Sequence, residues 1–290
     1  MAYHRRMFDL DAYLAELREQ VEARLAAALP PAGERPAALG DAMRHAVLTG
    51  GKRLRPILCL ACAEASGGRA DDAWQPALAV EIFHAYTLVH DDLPCMDNDL
   101  VRRGQPTVHA KFGETAAVLA GDALQALAFE LLARTPEKQP GAAAALVAEL
   151  GRAAGAAGVV GGQFEDLRCA GRADAETVRF IHRHKTADLF AAAARMGAIA
   201  AGGDAAAVER LGVYGENLGL AFQIVDDLLD AGPARPGKPP ELSCLQIWSR
   251  EEAGRQAATR TADALAALAG LPGPVEPLAG LAEKMLRRVV

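Results

Sequence analysis

Apolar residues recur along this chain at helical spacing almost throughout, and glycine and proline punctuate each run. The pattern predicts a helix from about Leu10 to Leu29, capped by Asp9 and stopped by Pro30-Pro31. A second spans about Ala37 to Leu48 and breaks at Thr49-Gly50-Gly51. Pro56 falls in the first turn of the next, which ends at Gly67-Gly68. A long apolar helix follows from about Asp72 to Asp92, terminated by Pro94. Arg102 to Lys111 reads as a loop and Glu114 to Arg134 as a helix. Gly141 to Ala170 reads as one or two Ala-rich helices interrupted at Gly161-Gly162. Helices over about Ala175 to Ala201 and Ala205 to Asp230 come next. A loop with Pro233, Pro236, Pro239 and Pro240 leads to the last two, about Leu245 to Ala269 and Val275 to Arg288. Nothing has the character of an interdomain linker, so one all-α domain over residues 1–290 is expected.

Composition narrows the picture. The chain is 51% hydrophobic but only 5% aromatic, and Ala and Leu dominate, which favours helices packed closely through small side chains. β-branched runs are scarce, arguing against a large sheet. The net charge of −6 argues against a nucleic-acid partner. It leaves room for an anionic small substrate, because local cations can reverse the field in one cleft. Met1 to Arg6 leads into a charged amphipathic segment with no apolar signal core. Asp122, Gln125 and Glu130 interrupt the longest apolar stretches, so no membrane span is expected. The cysteines (Cys59, Cys62, Cys95, Cys169, Cys244) are odd in number and form no framework, which reads as reduced thiols in a cytoplasmic protein. Cys59 and Cys62 have half a zinc-site spacing but no second pair, so they read as helical core.

Two acidic clusters carry the chemistry. The first is His90-Asp91-Asp92-Leu93-Pro94-Cys95-Met96-Asp97, and the second Gln223-Ile224-Val225-Asp226-Asp227-Leu228-Leu229-Asp230. Each closes a strongly apolar helical run with carboxylates, an arrangement that suits a hard divalent cation. Gln223, Asp226, Asp227 and Asp230 share a helical stripe, whereas Asp97 lies beyond Pro94 and must return through a turn. His84, Thr87 and Leu88 lie on the side of Asp91, giving a face polar at its mouth and apolar at depth, suited to an amphiphile. Cations cluster at Lys52, Arg53 and Arg55, at Arg102 and Arg103, and at Lys185 beside Thr186. Gly50-Gly51 before Lys52 can present cations to phosphate, and Arg102-Arg103-Gly104 reads as a turn with two phosphate forks. No Walker-type loop is present, so nucleotide hydrolysis is not expected.

These residues together resemble a trans-isoprenyl diphosphate synthase, most like the bacterial short-chain, farnesyl-type enzymes. The resemblance runs nearly end to end. It rests on Gly50-Gly51-Lys52-Arg53-Leu54-Arg55-Pro56, His84, Asp91-Asp92 through Asp97, and Arg102-Arg103-Gly104. It continues with Gly161-Gly162-Gln163, His184-Lys185-Thr186, and Phe222-Gln223 leading into Asp226-Asp227-Leu228-Leu229-Asp230. It implies a helical bundle around a central cavity, usually a homodimer, and about three Mg²⁺ ions. Asp91, Asp92 and Asp97 would supply one set of metal ligands, and Asp226, Asp227 and Asp230 the other. Arg102, Lys185, Gln223 and Lys238 would contact an allylic diphosphate, with Gln163 and Thr186 also binding substrate. Lys52, Arg55, His84 and Arg103 would hold isopentenyl diphosphate. Asp91, Asp92, Arg102, Lys185 and Asp226 would carry catalysis. Chain length would be set by Tyr86, the fifth residue before the first motif, with Thr87. The aromatic Tyr86 points to farnesyl diphosphate.

The chain also departs from the family pattern. Ala231 to Leu242 is short and Pro-rich, and Ser243-Cys244-Leu245 stands where Thr-Tyr-Pro is usual. Asn98 and Leu100 replace acids common beside the first cluster. The alternatives are a geranyl or geranylgeranyl diphosphate synthase, or a non-catalytic prenyl-synthase-like subunit. Retention of all six aspartates argues for activity. A terpene cyclase would have no use for Lys52, Arg55 and His84.

Overall fold

Asp9 opens the first helix as its position requires, its carboxylate accepting from the Ala12 N–H at 3.0 Å. This computed structural model describes residues 8–169, 171–230 and 242–288. Helices α1 (Leu10–Ala28), α2 (Ala37–Leu48), α3 (Leu54–Ala65) and α4 (Trp74–Asp91) come first, with a 3₁₀ turn at Ala70–Ala73 ahead of α4. A hairpin of β1 (Val101–Arg102) and β2 (Gln105–Pro106) leads to α5 (Val108–Phe112), α6 (Glu114–Ala133), α7 (Ala142–Ala154) and α8 (Val159–Cys169). Then follow α9 (Ala175–Ile181), α10 (Asp188–Ala200) and α11 (Ala205–Leu229). A 3₁₀ turn (Cys244–Gln246), α12 (Arg250–Ala267) and α13 (Glu276–Leu286) complete the described chain.

Three predicted elements are corrected. The stretch from Arg102 to Lys111 is a hairpin and a short helix rather than a loop. Val101 pairs with Pro106 and Arg102 with Gln105, and Arg103 and Gly104 turn the chain with φ of +53° and +75°. A two-residue turn with both central φ values positive matches the twist of the strands it joins. Strands of two residues are too short to leave an alternating pattern. The break expected at Gly161-Gly162 lies earlier, between Ala154 and Val159, and both glycines are inside α8. The single helix expected from Ala175 to Ala201 carries a π turn at His182–Ala187 between α9 and α10.

The inner helices are apolar on nearly every side. Ile57 to Ala63 of α3, Ala77 to Phe83 of α4 and Leu189 to Ala194 of α10 are all buried. Alanine makes this possible, since α10 packs against α3, α4, α7 and α11 at once. Phe83, Phe190 and Tyr214 are the largest fully buried side chains, and truncating such a ring to alanine costs about 3–5 kcal/mol. A smaller cluster of Val178, Ile224, Val225, Leu228, Cys244, Ala253 and Ala257 ties α9 and α12 to the far half of α11.

Glu114–Ala133 and Ala142–Cys169 are long and apolar enough to cross a membrane by length and composition. Length and composition alone do not show a membrane span. A core helix of a bundle meets the same criterion, and α6 buries Ala120, Leu124, Ala128 and Leu132 against its neighbours.

Candidate active site

The loop before α3 is built around a buried cation. Arg53 is 3% exposed and adopts φ of +51°. Its guanidinium bonds Glu22 of α1 at 2.8 Å, Glu81 of α4 at 2.7 Å and the Val47 carbonyl at 2.6 Å. Of the three cations in this run, Arg53 is therefore scaffold. Lys52 is exposed, its Nζ 5.8 Å from the Phe222 ring centre, and the Arg55 guanidinium lies 4.6 Å over Phe190. Arg103, held at a positive φ by its hairpin, donates to the Gly50 carbonyl. Gly51, beneath this guanidinium, adopts a φ of +147° that favours glycine.

These cations act on one another. Burial, and then repulsion by Arg103, push Arg55 down to about 10, against the pull of Glu81 and Asp226. Burial also lowers Arg103. His84 falls well below the usual imidazole range through burial and the fields of Arg55, Arg103, Arg102 and Arg53. Arg55 Nε is buried without a hydrogen-bond partner. Cations that weaken each other's hold on protons form a cradle fitted for an anion.

The first acidic cluster stands at the end of α4. The turn after Leu93 brings Asp97 back so that its N–H donates to the Asp91 carbonyl at 2.8 Å. Burial pushes the Asp91 carboxyl up to about 7; Asp97 and Asp92 add to the rise while Lys185 and Arg102 oppose it. Asp97 is also raised by burial. Asp92 is 4% exposed and its two oxygens take Arg102 Nε at 2.8 and 3.1 Å. Arg102 is thereby committed to a carboxylate as well.

Lys185 lies in the π turn, and its Nζ bonds Asp166 of α8 at 2.5 Å while acting on Asp91 and Asp97. Gly162 allows α8 to approach, since a Cβ there would meet the Lys185 backbone nitrogen at 2.3 Å. The next residue, Gln163, is 8% exposed, and neither amide atom has a hydrogen-bond partner. Asp166 was missed by sequence reasoning; its place three residues after Gln163, on the same helical side, was the available signal.

The second cluster divides. Asp226 is partly exposed and accepts from Arg288 Nη1 at 2.8 Å, with Lys52 also acting on it. Asp230 is exposed at the end of α11. Asp227 is 7% exposed and bonded within the protein. It accepts from Gln223 Nε2 at 2.9 Å and the Cys244 N–H at 2.6 Å, and lies 3.2 Å from His182 Nε2. Burial pushes its pKa up, but His182 and these amides prevail and hold it below the usual carboxylate value. Gln223 Oε1 in turn accepts from Thr186 Oγ1 at 2.8 Å. Lys238 lies outside the described residues. Arg288 is an addition that the sequence pattern did not single out.

Below Asp91, Thr87 donates to the His84 carbonyl at 2.8 Å. Tyr86 is half-buried, its ring 5.1 Å from Phe83 and 4.9 Å from His90. His90 reaches the Val118 carbonyl of α6 at 3.1 Å, so this aromatic stripe faces α6.

Among the described residues no three acids stand close enough to hold a metal by themselves. The oxygen donors of Asp91, Asp97 and Asp226 nevertheless fit Mg²⁺, which is commonly held by one or two carboxylates together with substrate phosphates. The raised Asp91 is a carboxyl short of counter-charge, as such a position requires.

A family model described as polyprenyl synthetase matches residues 36–239. The chain is 38% identical over 293 residues to a geranylgeranyl diphosphate synthase of Cyanophora paradoxa, covering 97% of both. It is 48% identical over 198 residues to a chloroplastic geranylgeranyl pyrophosphate synthase of Capsicum annuum, covering 67% of this chain and 54% of that one, so it spans about half of that relative's length. Among solved structures, an FPP/GFPP synthase from Zymomonas mobilis superimposes with a TM-score of 0.85 at 36% identity, covering 96% of this chain and 98% of the other.

Proposed function

The chain belongs to the polyprenyl synthetase family, and we propose that it is a prenyltransferase of isoprenoid biosynthesis that joins isopentenyl diphosphate to an allylic diphosphate. The observation that carries this reading is the polarity of the site. Arg55 and Arg103, with the neutral His84 beside them, form one group, and the carboxylates of Asp91, Asp97 and Asp226 another, Asp226 also acting on Arg55. This division supports two diphosphate sites, one met by side-chain cations and one through metal.

In this reading Lys52, Arg55, His84 and Arg103 bind the isopentenyl diphosphate head. Lys185, Gln223 and Lys238 bind the allylic diphosphate, and Arg102 reaches it from its pair with Asp92. Asp91, Asp97 and Asp226, with Asp230 beside them, would hold Mg²⁺, which supplies electrostatic stabilisation of the departing diphosphate. The allylic carbon–oxygen bond breaks and its electron pair leaves with the diphosphate. Lys185 offsets the charge that grows there. The double bond of isopentenyl diphosphate then attacks the allylic cation, forming the new carbon–carbon bond. The proton lost from the adjacent carbon passes to the released diphosphate. Gln163 and Thr186 line the reacting end.

The aromatic Tyr86, its ring packed against Phe83 and His90, supports farnesyl diphosphate as product. The names borne by the two relatives favour geranylgeranyl diphosphate instead. The five unpaired cysteines support a reducing, cytoplasmic setting, and family membership supports a homodimer. The test is incubation of the purified chain with Mg²⁺, isopentenyl diphosphate and dimethylallyl, geranyl or farnesyl diphosphate in turn. Elongation of any starter is expected, and chromatography of the products decides between the two chain lengths. No elongation of any starter overturns the reading.

A further inference from the structure

Asp227, Gln223, Thr186 and His182 close a ring between the π turn and α11. Thr186 Oγ1 lies 2.8 Å from Gln223 Oε1, Gln223 Nε2 lies 2.9 Å from Asp227 Oδ1, and His182 Nε2 lies 3.2 Å from Asp227 Oδ2. The Cys244 N–H, at 2.6 Å from the same Oδ2, brings the segment that follows residues 231–241 into this ring.

The chemistry of the ring has one solution. An ionised carboxylate only accepts, so Gln223 must turn its NH₂ toward Asp227 and its carbonyl toward Thr186. Thr186 must then spend its only proton on Gln223, and what remains of its hydroxyl is acceptor. We propose that Asp227 is a positioning residue that fixes the amide polarity of Gln223, and through it the acceptor character of Thr186, rather than a metal ligand. Resting on the prenyltransferase reading, this matters because a lone pair beside a forming allylic cation stabilises it, whereas an O–H dipole pointed at it opposes it.

The ring can be inverted and then restored. In Asp227→Asn, the introduced carbonyl stays with the Cys244 N–H donor and the introduced NH₂ faces Gln223. The Gln223 amide must flip, Thr186 becomes the acceptor in that bond, and its proton is freed. In the double variant Gln223→Glu with Asp227→Asn, the carboxylate now at position 223 accepts both from the introduced NH₂ and from Thr186, and the original polarity at Thr186 returns.

The experiment uses the full chain in three variants, Asp226→Asn, Asp227→Asn and the double variant. Mn²⁺ binding in the presence of inorganic pyrophosphate is read by titration calorimetry, and kcat and KM by steady-state assay. Asp227→Asn is expected to keep Mn²⁺ affinity within about threefold while kcat falls about tenfold, the scale of one hydrogen bond to a charged group. Asp226→Asn should weaken Mn²⁺ binding at least about tenfold. The double variant should recover at least about threefold in kcat over the single one. If Asp227→Asn melts too low to assay, recovery of its melting temperature in the double variant is the supporting result. The proposal is overturned if Asp227→Asn loses Mn²⁺ as Asp226→Asn does, if its kcat matches the unaltered chain, or if the double variant restores neither activity nor melting. An unaltered chain that elongates no starter defeats the prenyltransferase reading alone, since the Mn²⁺ and melting comparisons still report on Asp227.

Discussion

Arg288, just past the end of α13, donates from Nη1 to Asp226 Oδ1 at 2.8 Å. A metal ion at Asp226 competes directly with this arginine. Both side chains are partly exposed, so the pair is worth at most about 1 kcal/mol. Arg288→Ala should therefore tighten Mn²⁺ binding, measured with pyrophosphate present, by up to about fivefold. Weaker binding in the variant would show that Arg288 assists the anion rather than competing with the metal.

Arg53 should prove the costliest cation to remove. Arg53→Ala leaves Glu81 buried without its guanidinium, and breaking such a buried pair costs about 3–5 kcal/mol. Urea unfolding should register that loss. Exposed Lys52→Ala should stay within about 0.5 kcal/mol in the same assay while raising the KM for isopentenyl diphosphate. Equal stability losses at the two positions would contradict the division between scaffold and site.

His84 sets a pH dependence. Its pKa is lowered in the fold from the ordinary 6.5. Below pH 6.5 the unfolded chain binds a proton there that the folded chain refuses, so stability is full above that pH and declines as pH falls through it. Asp91, raised to about 7, contributes in the opposite sense over the same range, so the decline is read as the difference in melting temperature between the unaltered chain and His84→Gln, which should grow less favourable to the unaltered chain from pH 8 to 5. Pyrophosphate, by neutralising Arg55 and Arg103, should also shrink it. An unchanged slope in His84→Gln would assign the effect to other groups.

Tyr86→Ala removes the ring wedged between Phe83 and His90 on the side facing α6. Longer prenyl products are expected, read by reversed-phase chromatography after dephosphorylation. An unchanged product distribution would place the chain-length stop elsewhere.

Three helix starts were legible because their signals are local, whereas the helix expected from Leu245 begins only at Arg250, capped by Ser249. Asp9, Asp174 and Asp204 each cap a helix through a backbone N–H three residues ahead. The acidic clusters were legible for the same reason. The roles within them were not. Asp226 and Asp227 are neighbours on one stripe, and what separates them is Arg288 on one side and His182 with Cys244 on the other, all distant in sequence. Asp92 was likewise assigned by Arg102, ten residues away. Arg53 could not be told from Lys52 and Arg55 because its inward turn depends on a positive φ and on Glu22 and Glu81. Only tertiary partners carry that information.

The π turn at His182–Ala187 has a consequence at the level of the gene. A π turn is an α-helix carrying one surplus residue. Loss of a single codon within it would leave an uninterrupted helix with unchanged hydropathy, and a scan of helical content would register nothing. Yet every residue before the deletion would swing by about 100° relative to those after it, breaking the seating of Lys185 against Gly162. For this chain, a one-residue gap in that segment is a larger event than most substitutions in the acidic clusters themselves.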